Sequence, residues 1–78
     1  MPGSGAYSLA APAGVRLAVY DIRGARVREF VSGIVAAGSH QAVWDGGDGQ
    51  GSEVSSGIYF CRFEVGEFTE TRRMVLLR

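Results

Sequence analysis

Val15-Arg16-Leu17-Ala18-Val19-Tyr20-Asp21-Ile22-Arg23-Gly24 decides how this chain is read. Val15, Leu17 and Val19 fall on one side of an extended backbone, and Arg16, Ala18 and Tyr20 on the other. Alternation of period two is the mark of a half-buried strand. A helix would need an apolar return near every 3.6 residues, which this run lacks. Asp21-Ile22-Arg23-Gly24 then reads as a tight turn, with Asp21 accepting backbone N–H groups and Gly24 supplying a positive φ. Residues 25–31 return as the second strand of a hairpin. Val27 and Phe30 are out of phase in it, and a bulge near Arg28-Glu29 would repair the register.

The same alternation extends in both directions. Residues 6–10 form a short first strand with Tyr7 and Leu9 on one face, ended by Ala11-Pro12-Ala13-Gly14. Residues 34–38 are apolar, end in small residues, and read as a crossing between sheets. In residues 39–44, His40, Ala42 and Trp44 share a face. Trp44-Asp45-Gly46-Gly47-Asp48-Gly49-Gln50-Gly51-Ser52-Glu53-Val54-Ser55-Ser56-Gly57-Ile58-Tyr59 is too rich in glycine for a helix or a central strand, so it reads as a long loop between two strands with aromatic ends. Beyond it, Tyr59, Cys61, Phe63 and Val65 face one way and Ile58, Phe60, Arg62 and Glu64 the other. Gly66-Glu67 makes a two-residue hairpin turn. Residues 68–77 close the domain, with Phe68, Met74 and Leu76 inward and Thr69, Thr71, Arg73, Val75 and Leu77 outward.

The expected fold is all-β: a small antiparallel β-sandwich of six to seven strands without a helix. Its expected core is centred on Leu17, Val19, Trp44, Tyr59, Phe63 and Met74, with Tyr7, Val15, Val27, Ala42, Cys61 and Leu76 around them. Asp21, Gly24, Asp45, Gly46 and Gly57 are the expected turn residues. Residues 1–5 read as a linker or an artificial start, and residues 6–78 as one domain. Seventy-eight residues bury only ~60% of the surface their unfolded chain exposes, so the stability margin is thin.

Charge excludes several classes of partner. Eight arginines balance eight acidic residues, and lysine is absent, so there is no basic field to draw in nucleic acid or anionic lipid. Cys61 is the only cysteine and His40 the only histidine. No internal disulfide and no Cys/His zinc set is therefore expected. The longest apolar run, Met74 to Leu77, is far too short to span a bilayer as a helix. Residues 1–5 lack the charged and apolar regions of a signal peptide.

Four blocks in order carry a family resemblance: Val15 to Arg28, Ala37 to Gly46 around Trp44-Asp45-Gly46, Gly57-Ile58-Tyr59-Phe60-Cys61-Arg62-Phe63, and Thr71-Arg72-Arg73-Met74-Val75-Leu76. Together they resemble the FlgD Ig-like family and the related C-terminal sorting domains of type IX secretion substrates. The resemblance implies an Ig-like sandwich without catalytic activity or cofactor. In sorting domains such a module is an address on a secreted or surface protein that passes through the periplasm. In the flagellar protein it belongs to the hook-capping scaffold. The end of the chain directly after the closing strand, as in sorting domains, favours the sorting role, with assembly as the alternative. An accessory carbohydrate- or calcium-binding module is a third reading. Cys61, where the family commonly has an aromatic, is a departure.

The candidate sites follow from these readings. Asp45, Asp48 and Glu53 offer hard oxygen ligands in a flexible loop, but not at EF-hand spacing; capping of turns explains Asp45 and Asp48 equally. Ser55 and Ser56 have no base positioned by a third group, and no catalytic residue is expected. Ile58 and Phe60 face away from the core side, and with Arg72 and Arg73 they form the expected partner surface. The expected partner is a protein, either secretion machinery or a neighbouring domain or subunit, meeting the domain at its strand edges and the closing strand.

Overall fold

The computed structural model describes residues 3–77, with side chains from residue 6 onward. Six strands follow in order: β1 (Gly3–Leu9), β2 (Ala13–Asp21), β3 (Arg26–Val35), β4 (Gly38–Trp44), β5 (Gly57–Val65) and β6 (Phe68–Leu76), with no helix among the described residues. They form two antiparallel sheets. β1 and β4 make a two-stranded sheet, and β3-β2-β5-β6 make a four-stranded one. The all-β sandwich expected from the alternation is the observed fold. β1 begins at Gly3, so it includes Gly3–Gly5 of the segment read as linker; Met1 and Pro2 lie outside the described residues.

β3 shows why its pattern slips. Leu17 pairs with Val31, but Ala18 pairs with Glu29 and Tyr20 with Arg26, giving two register shifts rather than one near Arg28-Glu29. Phe30 and Val27 are the extra residues. Each bulge returns an out-of-phase apolar side chain to the inner face, and both pack against the core. β3 runs on through Ile34 and Val35, and Ala36-Ala37 carry the chain across to β4 in the other sheet.

The core lies between the sheets. Val19, Trp44, Tyr59 and Leu76 form its buried centre, with Val27, Phe30, Val54 and Met74 against it; Val15 and Leu17 are buried too. Tyr7, Phe63 and Met74 are half-buried, because two strands cannot cover the whole inner face of four. A cleft of about 290 Å³ remains there, lined by Leu17, Ala42, Phe63 and Met74 among others. Phe68, expected inward, is 58% exposed at the far end of β6, beyond that cover. Ala18, read as outward, is fully buried. Its strand is central, and the cross-strand neighbours of so small a side chain, Glu29 and Arg62, are long enough to shield it.

Candidate interaction surface

The loop after Trp44 carries the candidate metal ligands Asp45, Asp48 and Glu53. Trp44 Nε1 donates to the Gly47 carbonyl at 2.8 Å, and the Tyr59 hydroxyl donates to the Ser55 carbonyl at 2.6 Å. The latter bond, to a carbonyl four residues upstream, is the arrangement of a tyrosine corner. Within the loop, Gly47 bridges to Glu53, and Val54 N–H donates to the Gly46 carbonyl at 3.0 Å. Gly46 holds a φ of 84°, which favours glycine. The bulge at Val27 leaves its carbonyl free of the ladder, and Gly49 N–H takes it at 3.2 Å.

Asp45 Oδ1 accepts from Gly47 N–H at 2.9 Å and from Arg28 Nη1 at 3.0 Å. Asp48 Oδ1 accepts from the N–H groups of Gln50 and Ser52, at 2.9 and 3.0 Å. These are Asx-type turn caps. Asp45, Asp48 and Glu53 do not converge: no group of three or more His, Cys, Asp or Glu side chains among the described residues is placed to hold a metal ion. At the β2–β3 turn, Asp21 Oδ1 accepts from Arg23 N–H at 2.9 Å and Ala25 N–H at 3.0 Å. The Ala25 bond, with smaller help from Arg23, holds its carboxyl below the usual carboxylate range despite some desolvation. Gly24 there has a φ of 84°. Gly57 is not a turn residue. It is the first residue of β5, paired with Leu76, because the loop has already closed at Ser56.

On the inner side, His40 stacks on Tyr7 at 5.3 Å between ring centroids, and Tyr7 meets Phe63 at 4.9 Å. The His40 Nε2–H donates to the Ala36 carbonyl at 2.8 Å, so the ring has a local partner. Cys61 is half-buried beside the cleft; burial pushes its thiol pKa up, with the nearby Arg72 pulling weakly the other way.

The outer face of the four-stranded sheet is the candidate interaction surface. Register places Tyr20 beside Phe60 and Phe60 beside Arg73, with Arg26 on the far side of Tyr20. The next pair toward the end of the sheet is Ile58 and Val75, 41% and 55% exposed. The result is an apolar strip between Arg26 and Arg73. Ile58, Phe60 and Arg73 thus share this face as expected, but Arg72 does not. Period two turns it to the inner side of β6 opposite Cys61, where it pairs with Glu70 at 3.4 Å. Beyond the strip, the face is polar, with Arg62 paired to Glu64 at 3.2 Å and Arg26 to Glu29 at 3.0 Å. Val75 and Tyr20 were not singled out from the sequence as partner residues. Their signal was the pairing of strands, which a single strand's pattern does not contain.

A two-layer antiparallel sandwich with a tyrosine corner defines a small Ig-like module. The chain belongs to the FlgD Ig-like domain family, whose profile matches residues 1–66. The crystal structure of FlgD from P. aeruginosa superimposes with a TM-score of 0.64 at 27% identity, covering 92% of this chain and 57% of that one. The chain therefore spans little more than half the length of that FlgD. No curated protein matches. No helix among the described residues is long and apolar enough to cross a membrane.

Proposed function

We propose that this domain is a non-catalytic structural module that joins protein subunits outside the cytoplasm, in the manner of a FlgD-type hook-capping scaffold. The observation that supports it is the outer-face strip of a FlgD-family fold in which exposed Ile58 and Val75 adjoin half-buried Phe60. Exposed contiguous apolar surface on so small a domain is a docking feature rather than a requirement of folding. Both comparisons point to FlgD, so assembly replaces sorting as the favoured role; the sorting role rests on the sequence blocks alone.

The test is a genomic replacement in which the protein carrying this chain bears Ile58→Asp and Val75→Asp. Ile58 and Val75 are direct cross-strand partners, so a modest drop in melting is expected, and melting of the isolated chain checks that the variant still folds. Surface structures are then sheared off and the protein is quantified in the assembled and soluble fractions. Loss from the assembled fraction at normal expression is the expected result. Unchanged incorporation would overturn the reading.

A further inference from the structure

The charges on the four-stranded sheet are not evenly satisfied. Among the described residues every arginine except Arg73 takes part in an ion pair. Arg73 borders the apolar strip near the Gly57–Leu76 end of the β5–β6 ladder. Glu67, at the β5–β6 turn, is likewise in no ion pair. It stands beside the exposed ring of Phe68, with Glu70 two residues on. One end of the sheet therefore shows an apolar strip edged by an uncommitted cation, and the other an apolar ring edged by an uncommitted anion. The two ends lie about eight residues apart along β5 and β6, roughly 25 Å at strand rise, in a molecule 37 Å long and about 20 Å across.

The geometry points to a head-to-tail contact between copies of this chain: the β5–β6 hairpin tip of one copy, with Phe68 and Glu67, seats on the strip of Tyr20, Phe60, Ile58 and Val75 of the next, against Arg73. The inference rests on the assembly reading above and names the partner as a second copy. Because the two surfaces are different and lie at opposite ends, the contact is heterologous. The joined pair keeps one free tip and one free strip, so association continues into a row or closes as a ring. Edge-to-edge pairing of β6 is the weaker route: Thr69, Glu70, Thr71, Arg72 and Arg73 are all exposed, and a polar, charged edge discourages strand addition.

The experiment is sedimentation velocity on the full 78-residue chain over a concentration series at low and high salt. Wild type should form species larger than dimers, weakened by salt. Arg73→Glu places like charges together and should weaken association at least about tenfold; Glu67→Arg should do the same, and the double variant should recover it. Mixing separates this arrangement from any symmetric one. Arg73→Glu spoils only the strip and Phe68→Ser only the tip, so each alone should be monomeric and an equimolar mixture should stop at a dimer. Melting curves check that each variant is folded. A monomeric wild type at millimolar concentration, no rescue in the double variant, or a mixture that stays monomeric would overturn the inference. Loss of assembly on replacing Ile58 and Val75 in the cell, with a monomeric chain in solution, would leave the assembly reading standing with a different protein as the partner.

Discussion

Trp44 and Tyr59 meet edge to face with ring centroids 5.1 Å apart, and each donates its one polar hydrogen to the backbone of the loop that joins them. The two rings bury the bottom of the sandwich while stapling both ends of a glycine-rich connection. An aromatic pair of this kind contributes beyond its buried area, and the loop, poor in apolar contacts of its own, depends on it for its shape.

Trp44→Ala should remove ~3–5 kcal/mol through lost burial and a cavity, against a total near the lower end of the usual ~5–15 kcal/mol. Urea unfolding followed by circular dichroism should then show no cooperative transition. Tyr59→Phe keeps its ring and loses one hydrogen bond, for about 1 kcal/mol. A Trp44→Ala chain that melts near wild type would contradict the placement of the indole in the core.

Asp48→Ala takes away the acceptor for two backbone N–H groups, those of Gln50 and Ser52. Amide exchange should rise about fivefold at Gln50 and Ser52, with little change on β2 or β5, because caps of this kind are worth about 1 kcal/mol. Asp45→Asn should cost under about 1 kcal/mol, since its pair with Arg28 is largely exposed.

Calcium is tested directly. Asp45 and Asp48 each commit an oxygen to turn hydrogen bonds, so melting in millimolar calcium should match melting in EGTA. A rise of several degrees on adding calcium would mean that the loop reorganises into a site.

Acid should weaken the β2–β3 turn. The Ala25 and Arg23 bonds hold Asp21 below its ordinary range, so the unfolded chain takes up a proton there before the folded one does. The stability this contributes is fully present above the ordinary value near ~3.9 and fades as pH falls through the lowered folded value. Wild type should therefore exceed Asp21→Asn in urea midpoint at pH 6, and the gap should narrow between about pH 4 and pH 2. A constant gap across that range would exclude the carboxylate as its source.

Cys61 should be slow to alkylate. Burial raises its thiol pKa, so little thiolate is present at neutral pH. Reaction with iodoacetamide at pH 7.5 should accelerate at least about tenfold when the chain is unfolded in urea. Equal rates in both states would place the thiol in open solvent.

Strands and their faces were legible because period two is a local property: Val15, Leu17 and Val19 on β2, or Ala42 and Trp44 on β4, announce their side without help. What depends on a neighbour was not. The burial of Ala18 comes from the strands on either side of it. The two bulges at Val27 and Phe30 come from the demand that both residues reach the core. Gly57 looked like a turn and is a strand residue because Leu76 pairs with it. Arg72 and Arg73 looked like one patch, yet consecutive residues on a strand must part. The apolar strip needed Tyr20, Phe60 and Val75 brought together from three strands, and only the sheet order does that.

The pairing of β1 with β4 has a consequence for how the domain is made. Gly3 faces Trp44 and Leu9 faces Gly38, with the whole β2–β3 hairpin between them in sequence. On the ribosome β1 must wait, unpaired, until β4 has emerged. Its glycines and serines make it a poor template for strangers during that wait, while the β2–β3 hairpin can form without it.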